Sequence, residues 1–323
     1  MSGGAQASQW SRIQERGSLW GLRFTVRCYR ILGRTLSLPL IYVVVAYFFA
    51  TDPKGRAASR DFLARVQACL KDESPEVAQA CPSGHRGSWW HYREFALSIA
   101  DRVSLWGDPA GSFDFEFHGR EHFDRIHSEG KGAIVLGAHL GSFDALRVLS
   151  EEDGVRVNAL MYTRHAPRIN EVFRELAPDL DVRVLPIAGD AATTVLRIRA
   201  CIERGEHVAI LADRIEPTDR HRVQRLDFLG APAEFPKTPF LLAAVLGCPA
   251  VMVVALRKGS RRYEVVAELL ADAYDGPESN RAVRSSRATE LASAYVANLE
   301  RQCFRAPRQW FNFYDFWAGA SST

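Results

Sequence analysis

Residues 135–146 read VLGAHLGSFDAL, which puts a histidine and an aspartate five positions apart where an apolar run stops. An imidazole with one nitrogen held by a carboxylate removes a proton from a hydroxyl through the other nitrogen, the usual general-base arrangement. His139 and Asp144 have the residue types for it. Gly141 permits the tight turn between them. Ser142 is placed to cap a following helix, whose positive end then favours the charged form of Asp144. An ordinary strand-to-helix turn has the same composition, so the pair gains weight only from its surroundings. The stretch LGSFD lacks the G-x-S-x-G frame that exposes a nucleophilic serine. A second pattern, His118, Glu121 and His122 in FHGREHFDRIH, has the H-x-x-E-H order of an inverted zinc-protease site. That chemistry needs both histidines on one helix. Gly119 and the alternating FDFEF before it instead predict a strand ending at His118 and a helix beginning near His122, with no metal held.

The elements around these residues alternate. From residue 113, FDFEFH, GAIVLG, VRVNALMY, VRVLPI and HVAILAD have the pattern of strands. Between them EHFDRIHSEG, SFDALRVLS, RINEVFREL and AATTVLRIRACIERG have the pattern of helices. RLDFLGAPAEF suggests a hairpin and KTPFLLAAVLG a helix. PAVMVVALRKG and RRYEVVAELL suggest two strands joined by a tight turn, and residues 280–304 a long helix. This order predicts an α/β fold with a mostly parallel central sheet flanked by helices and edged by an antiparallel hairpin. In such sheets ligands bind outside the carboxyl ends of the strands. His139 follows one strand, Arg164 follows VRVNALMY, and Asp213 and Arg214 follow HVAILA. All four are therefore expected on one edge, where arginines can grip a phosphate. The alternative for each is a surface ion pair of small worth. Lys237, opening a helix after Pro236, is a further substrate-binding candidate. The tail aromatics Trp310, Phe311, Phe313, Tyr314, Phe316 and Trp317 are expected to pack under the core or to touch the bilayer, with core packing the favoured reading.

Upstream the composition differs. Arg16, Arg23, Arg27, Arg30 and Arg34 fall on one side of a helix predicted over residues 8–34. LSLPLIYVVVAYFFA, residues 36–50, carries no charge, yet is shorter than the roughly 20 residues of a membrane span and is interrupted by Pro39. A basic face beside an apolar segment predicts attachment to an anionic membrane surface over residues 1–55, followed by an α/β domain over 56–323. A solvated helix followed by a core helix is the other reading. The chain as a whole, 323 residues with 47% hydrophobic and 24% charged side chains, is that of a folded protein. Its net charge of +3 gives no strongly basic signature of nucleic-acid binding. Six cysteines without CxxC spacing point to reduced thiols in a cytosolic compartment.

Several stretches together, GKGAIVLGAHLGSFDAL, MYTRHAPRIN, GEHVAILADR, DFLGAPAEFPKTPFLLAAVLGCPAV and APRQWFNFYDFW, carry a resemblance to the lysophospholipid acyltransferase superfamily, and within it to the lipid A biosynthesis (lauroyl/myristoyl) acyltransferases. The resemblance runs over nearly the whole chain. It implies transfer of a fatty acyl group from a thioester, on acyl carrier protein or coenzyme A, to a hydroxyl of a lipid or glycolipid. His139 would be the base and Asp144 its partner, with no metal or redox cofactor. It also implies residence at the cytoplasmic face of an inner membrane. Three departures bear on the acceptor. The lipid A branch commonly has Glu where Asp144 stands. FPKTPF replaces the Pro-Glu-Gly pattern of glycerolipid enzymes. QWFNFYDFW is closer to acyltransferases encoded beside aryl-polyene pathways. An inactive membrane-bound scaffold and a lipid hydrolase of the same fold are the competing readings.

Overall fold

The computed structural model describes residues 19–107, 113–143, 156–161, 183–186, 191–216, 219–273 and 280–319. The chain opens with helices α1 (Leu19–Thr51), α2 (Pro53–Glu73), α3 (Pro75–Ala80) and α4 (Gly84–Gly107). An alternating part follows: β1 (Asp114–His118), α5 (Arg120–Ser128), β2 (Ile134–Gly137), β3 (Val157–Met161), β4 (Arg183–Pro186), α6 (Ala191–Glu203) and β5 (His207–Leu211). The hairpin β6 (Val223–Phe228) and β7 (Ala231–Pro236) leads to α7 (Thr238–Leu246), β8 (Ala250–Arg257), β9 (Arg262–Ala271) and α8 (Arg281–Arg305). The helices predicted over SFDALRVLS and RINEVFREL fall almost wholly outside the described residues.

Seven strands form one sheet in the order β1-β9-β8-β2-β5-β3-β4. Strands β4, β3, β5, β2 and β8 run parallel; β9 turns back antiparallel to β8, and β1 lies parallel to β9. The sheet is mostly parallel and the fold mixed α/β, as the element order predicts, with the β8–β9 hairpin toward one edge. Both faces are covered, so the central strands are continuous apolar runs rather than alternating ones. On β8, Ala250, Met252, Val254 and Leu256 join the core under α2, α7 and α8, while Val251, Val253 and Ala255 join a smaller core that includes Leu105 of α4 and Ile126 of α5. The two-residue period of a strand thus divides one chain segment between two layers.

α1 contains a break at Gly33, whose φ of 71° and ψ of 178° belong to no helix and suit a residue without Cβ. The sequence places the interruption at Pro39. That proline instead lies inside the second segment, where it lacks the N–H that would reach the Thr35 carbonyl without ending the helix. One side of this segment, Ile41 and Val45, packs on Tyr92 and Leu97 of α4. The other side leaves Leu36, Val43 and Tyr47 about two-thirds exposed, at 68%, 66% and 58%. Among the described residues no single helix is long and apolar enough to cross a membrane; Thr35–Thr51 and Pro53–Asp72 pass that test only as a pair bent by 95°. Arg27 is exposed; Arg16, and the side chains of Arg23, Arg30 and Arg34, lie outside what is described. Asp52 joins the two helices by capping α2, accepting from Gly55 N at 3.2 Å ahead of Pro53.

Candidate active site

Strand pairing brings the chemistry together. In the parallel pair β2–β5, Gly137 stands opposite Leu211. Two residues beyond each strand, His139 and Asp213 meet. The His139 ring Nδ1 lies 2.7 Å from Asp213 Oδ1, and the His139 backbone N–H donates to Oδ2 at 2.9 Å. A carboxylate only accepts, so Nδ1 carries the ring proton and the Nε2 lone pair is left for a substrate. The Asp213 side chain is fully buried, while the His139 ring keeps 26% of its surface exposed.

A segment from the far end of the chain completes the arrangement. Residues 309–311 lie antiparallel beside residues 139–141: Phe311 N donates to His139 O at 2.7 Å, Gly141 N donates to Gln309 O at 2.9 Å, and Leu140 bridges Trp310. The Gln309 amide brackets Arg257, accepting from its N at 2.8 Å and donating to its O at 2.9 Å. This docking aims two donors at the buried carboxylate: Trp310 Nε1 at 3.1 Å and Asn312 Nδ2 at 3.0 Å from Asp213 Oδ2. Asp213 therefore accepts four hydrogen bonds. Burial pushes its carboxyl up, but the His139 contacts and the Arg214 charge outweigh that and hold it at about 2. Burial, reinforced by Arg214 and Arg102, pulls the His139 imidazole below its ordinary value against the opposite pull of Asp213. The imidazole is thus shifted toward its neutral form beside an ionised carboxylate.

Gly141 makes the turn possible. Its φ is 71°, and a Cβ there would stand 2.0 Å from Ala255 O, the carbonyl that accepts from Ser142 N. Ser142 is buried, and its hydroxyl has no hydrogen-bond partner among the described residues; the helix it was expected to cap lies beyond them. Asp144 and Arg164 also lie outside the described residues. Arg214 is in place. Its Nε donates to Asn312 Oδ1 at 2.6 Å and its Nη2 to Phe311 O at 2.9 Å, which fixes the guanidinium beside the pair. Glu216, a few residues on, is pushed up to about 7 by burial. Lys237 is exposed at the first turn of α7, with no contact to the pair among the described residues.

Trp310 and Asn312 were not singled out by spacing as partners of a carboxylate. Both are fully or almost fully buried, at 0% and 2%. The signal available was their type: a buried indole N–H and amide in an apolar tail each need a hydrogen-bond partner. His118 ends β1 and lies 3.4 Å from both Glu116 and Glu264, while His122 stands on α5. The two histidines thus belong to separate elements. Among the described residues no group of three His, Cys, Asp or Glu is placed to hold a metal ion.

Compared with known proteins, residues 90–318 match the family model described as bacterial lipid A biosynthesis acyltransferase. No curated protein matches the chain.

Proposed function

Because this chain belongs to the bacterial lipid A biosynthesis acyltransferase family, we propose that it moves a fatty acyl group from a thioester, on acyl carrier protein or coenzyme A, to a hydroxyl of a membrane lipid or glycolipid. The observation that carries this reading is the His139 Nδ1–Asp213 contact of 2.7 Å, which takes up Nδ1 and leaves the Nε2 lone pair for the acceptor. Nε2 takes the acceptor proton as the oxygen attacks the thioester carbonyl. Asp213 fixes the tautomer and offsets the charge gained by the ring. The tetrahedral oxyanion is met by backbone N–H groups or by Arg214. The C–S bond then breaks, and the imidazolium returns its proton to the leaving sulfur. This chemistry requires no metal or redox cofactor. Asp213, having no exposed surface, acts on the ring and not on the substrate. Asp144, the acid implied by the resemblance, is its rival for that role, and Arg164 and Lys237 remain candidates for holding the donor.

The membrane is the second half of the reading. The exposed apolar side of α1, with Leu36, Val43 and Tyr47, supports docking of residues 1–55 on an anionic bilayer, with residues 56–323 as the acyltransferase domain at the cytoplasmic face. The α1–α4 packing keeps that surface in a fixed relation to the site. The test is mass spectrometry of the full-length protein with acyl carrier protein thioester or acyl-coenzyme A and a bacterial lipid extract. A new acylated lipid, lost in His139→Ala, supports transfer. Free fatty acid alone would make the protein a hydrolase, and no turnover with either donor would make it a scaffold.

A further inference from the structure

We infer that His91, on α4, is a positioning residue for the His139–Asp213 pair, acting through the carbonyl of Trp310. His91 has no exposed surface. Its Nε2 lies 2.9 Å from Trp310 O, and its Nδ1 lies 3.0 Å from Ser59 Oγ on α2. A carbonyl only accepts, so Nε2 carries the proton and Nδ1 accepts from the serine hydroxyl. Both ring nitrogens are used and neither is free to act on a substrate. The ring is gripped by Phe62 of α2, at 5.7 Å between centroids, and by Phe313 of the tail at 4.6 Å. Burial, with the nearby Arg308 charge, keeps it neutral and outweighs the carbonyl bond, holding it at about 3. His91 is therefore a fixed peg joining two N-terminal helices to the one tail residue that sends its indole to Asp213 and its neighbours' groups to Arg214 and His139 O. A carbonyl bond to plain packing residues would not need a histidine; a single orientation of the Trp310–Asn312 segment does.

This inference rests on His139 being the base, and the experiment separates the two. Uniformly histidine-labelled full-length protein in detergent is titrated by NMR; the His139 signal is the one lost in His139→Ala. The groups facing that ring are Asp213, Arg214 and Arg102. His91→Gln carries an amide donor that reaches the Nε2 position and the Trp310 carbonyl. His91→Asn reaches only the Ser59 side, and His91→Phe has no donor. If the tail shifts, Asp213 loses donors, its charge falls more fully on His139, and the imidazolium is favoured. The His139 pKa should then rise by about half a unit or more in the Asn and Phe variants, the order expected for one lost hydrogen bond to a carboxylate. It should remain as in the wild type in the Gln variant. Turnover should fall on the order of ten- to a hundredfold in Asn and Phe with KM unchanged. Equal His139 titrations in the Gln and Asn variants would overturn the inference, even if the Phe variant fails to fold. If His139→Ala keeps its activity, the proposed base is wrong, whatever the His91 series shows.

Discussion

Asp213→Asn is the sharpest single perturbation of this site, because the surroundings dictate how the new side chain must sit. Three donors converge on Oδ2: the His139 backbone N–H, the Trp310 indole and the Asn312 amide. An asparagine NH2 group cannot face three donors, so its oxygen must occupy that place. Its NH2 then occupies the Oδ1 place and points at His139 Nδ1. The ring can accept there only by moving its proton to Nε2, where the lone pair was needed for the substrate. The substitution therefore leaves the shape intact and installs the wrong tautomer. Roughly a 10³–10⁴-fold fall in rate is expected, or about 4–5.5 kcal/mol at 1.36 kcal/mol per tenfold. A stability term accompanies it. The folded carboxyl is held at about 2, below its ordinary 3.8, which contributes about 2 kcal/mol above that ordinary value and is lost as pH falls toward 2. Asp213→Asn should lack this contribution and flatten urea stability across that pH window. Single-turnover acyl transfer with saturating thioester, beside circular dichroism to verify folding, makes the comparison. A folded Asp213→Asn protein that retains more than a tenth of the wild-type rate would refute the reasoning. So would Asp144→Asn losing a thousandfold while Asp213→Asn does not.

His139→Ala should cost roughly 10²–10⁴-fold in rate and, because it removes the ring contact that helps hold the buried Asp213 carboxylate, should also lower the thermal midpoint. In the wild type, activity should fall as pH drops through the lowered His139 value, so the acid limb of the pH–rate profile should lie below 6.5, the ordinary value. Gly141→Ala combines a left-handed φ with a clash against Ala255 O; it should destabilise by about 2 kcal/mol or more, read as a lower urea midpoint, and should abolish transfer. Reversing the charge at Arg23, Arg27 and Arg30 should weaken flotation with anionic vesicles by about a hundredfold or more at low salt, and the residual binding should be insensitive to salt. Full-length protein that stays free of such vesicles at low salt would remove the membrane half of the reading. His91 and His207 are held neutral by burial at about 3 and about 4, below the ordinary 6.5. Both therefore contribute stability above pH 6.5 that is lost as pH falls through those values, and the urea midpoint should decline accordingly.

The alternation of strands and helices along the chain and the mostly parallel sense of the sheet were legible because buried parallel strands are short apolar runs set between helices, and GAIVLG and HVAILAD have that form. His139 and Asp213 were both legible as residues just past such strands. Their contact with each other was not, since nothing local says that β2 and β5 are neighbours; once paired, Gly137 opposite Leu211 brings the two side chains together. The spacing within one turn instead drew attention to Asp144. The interruption of the uncharged run was expected at Pro39, and the break is found at Gly33, whose positive φ is not helical, while Pro39 stays inside the helix at the loss of one backbone N–H. The tail was legible as core, and Trp310, Phe316 and Trp317 are indeed buried. Its polar atoms were not assigned, because their partner lies 97 and 99 residues away, beyond the reach of any periodicity.

The docking of residues 309–312 also sets an order of events during synthesis. His139 and Asp213 leave the ribosome long before Trp310 and Asn312 do. Until those two emerge, Asp213 lacks two of the donors that make its burial tolerable, and a carboxylate in that position is better left in water. The nascent sheet can form, but its reactive edge has reason to stay open. Closure awaits a segment separated from His91 by 219 positions, a long-range contact of the kind that forms late in folding. A partly translated chain would thus carry His139 and Asp213 on its strands without the tail donors that hold the carboxylate in place.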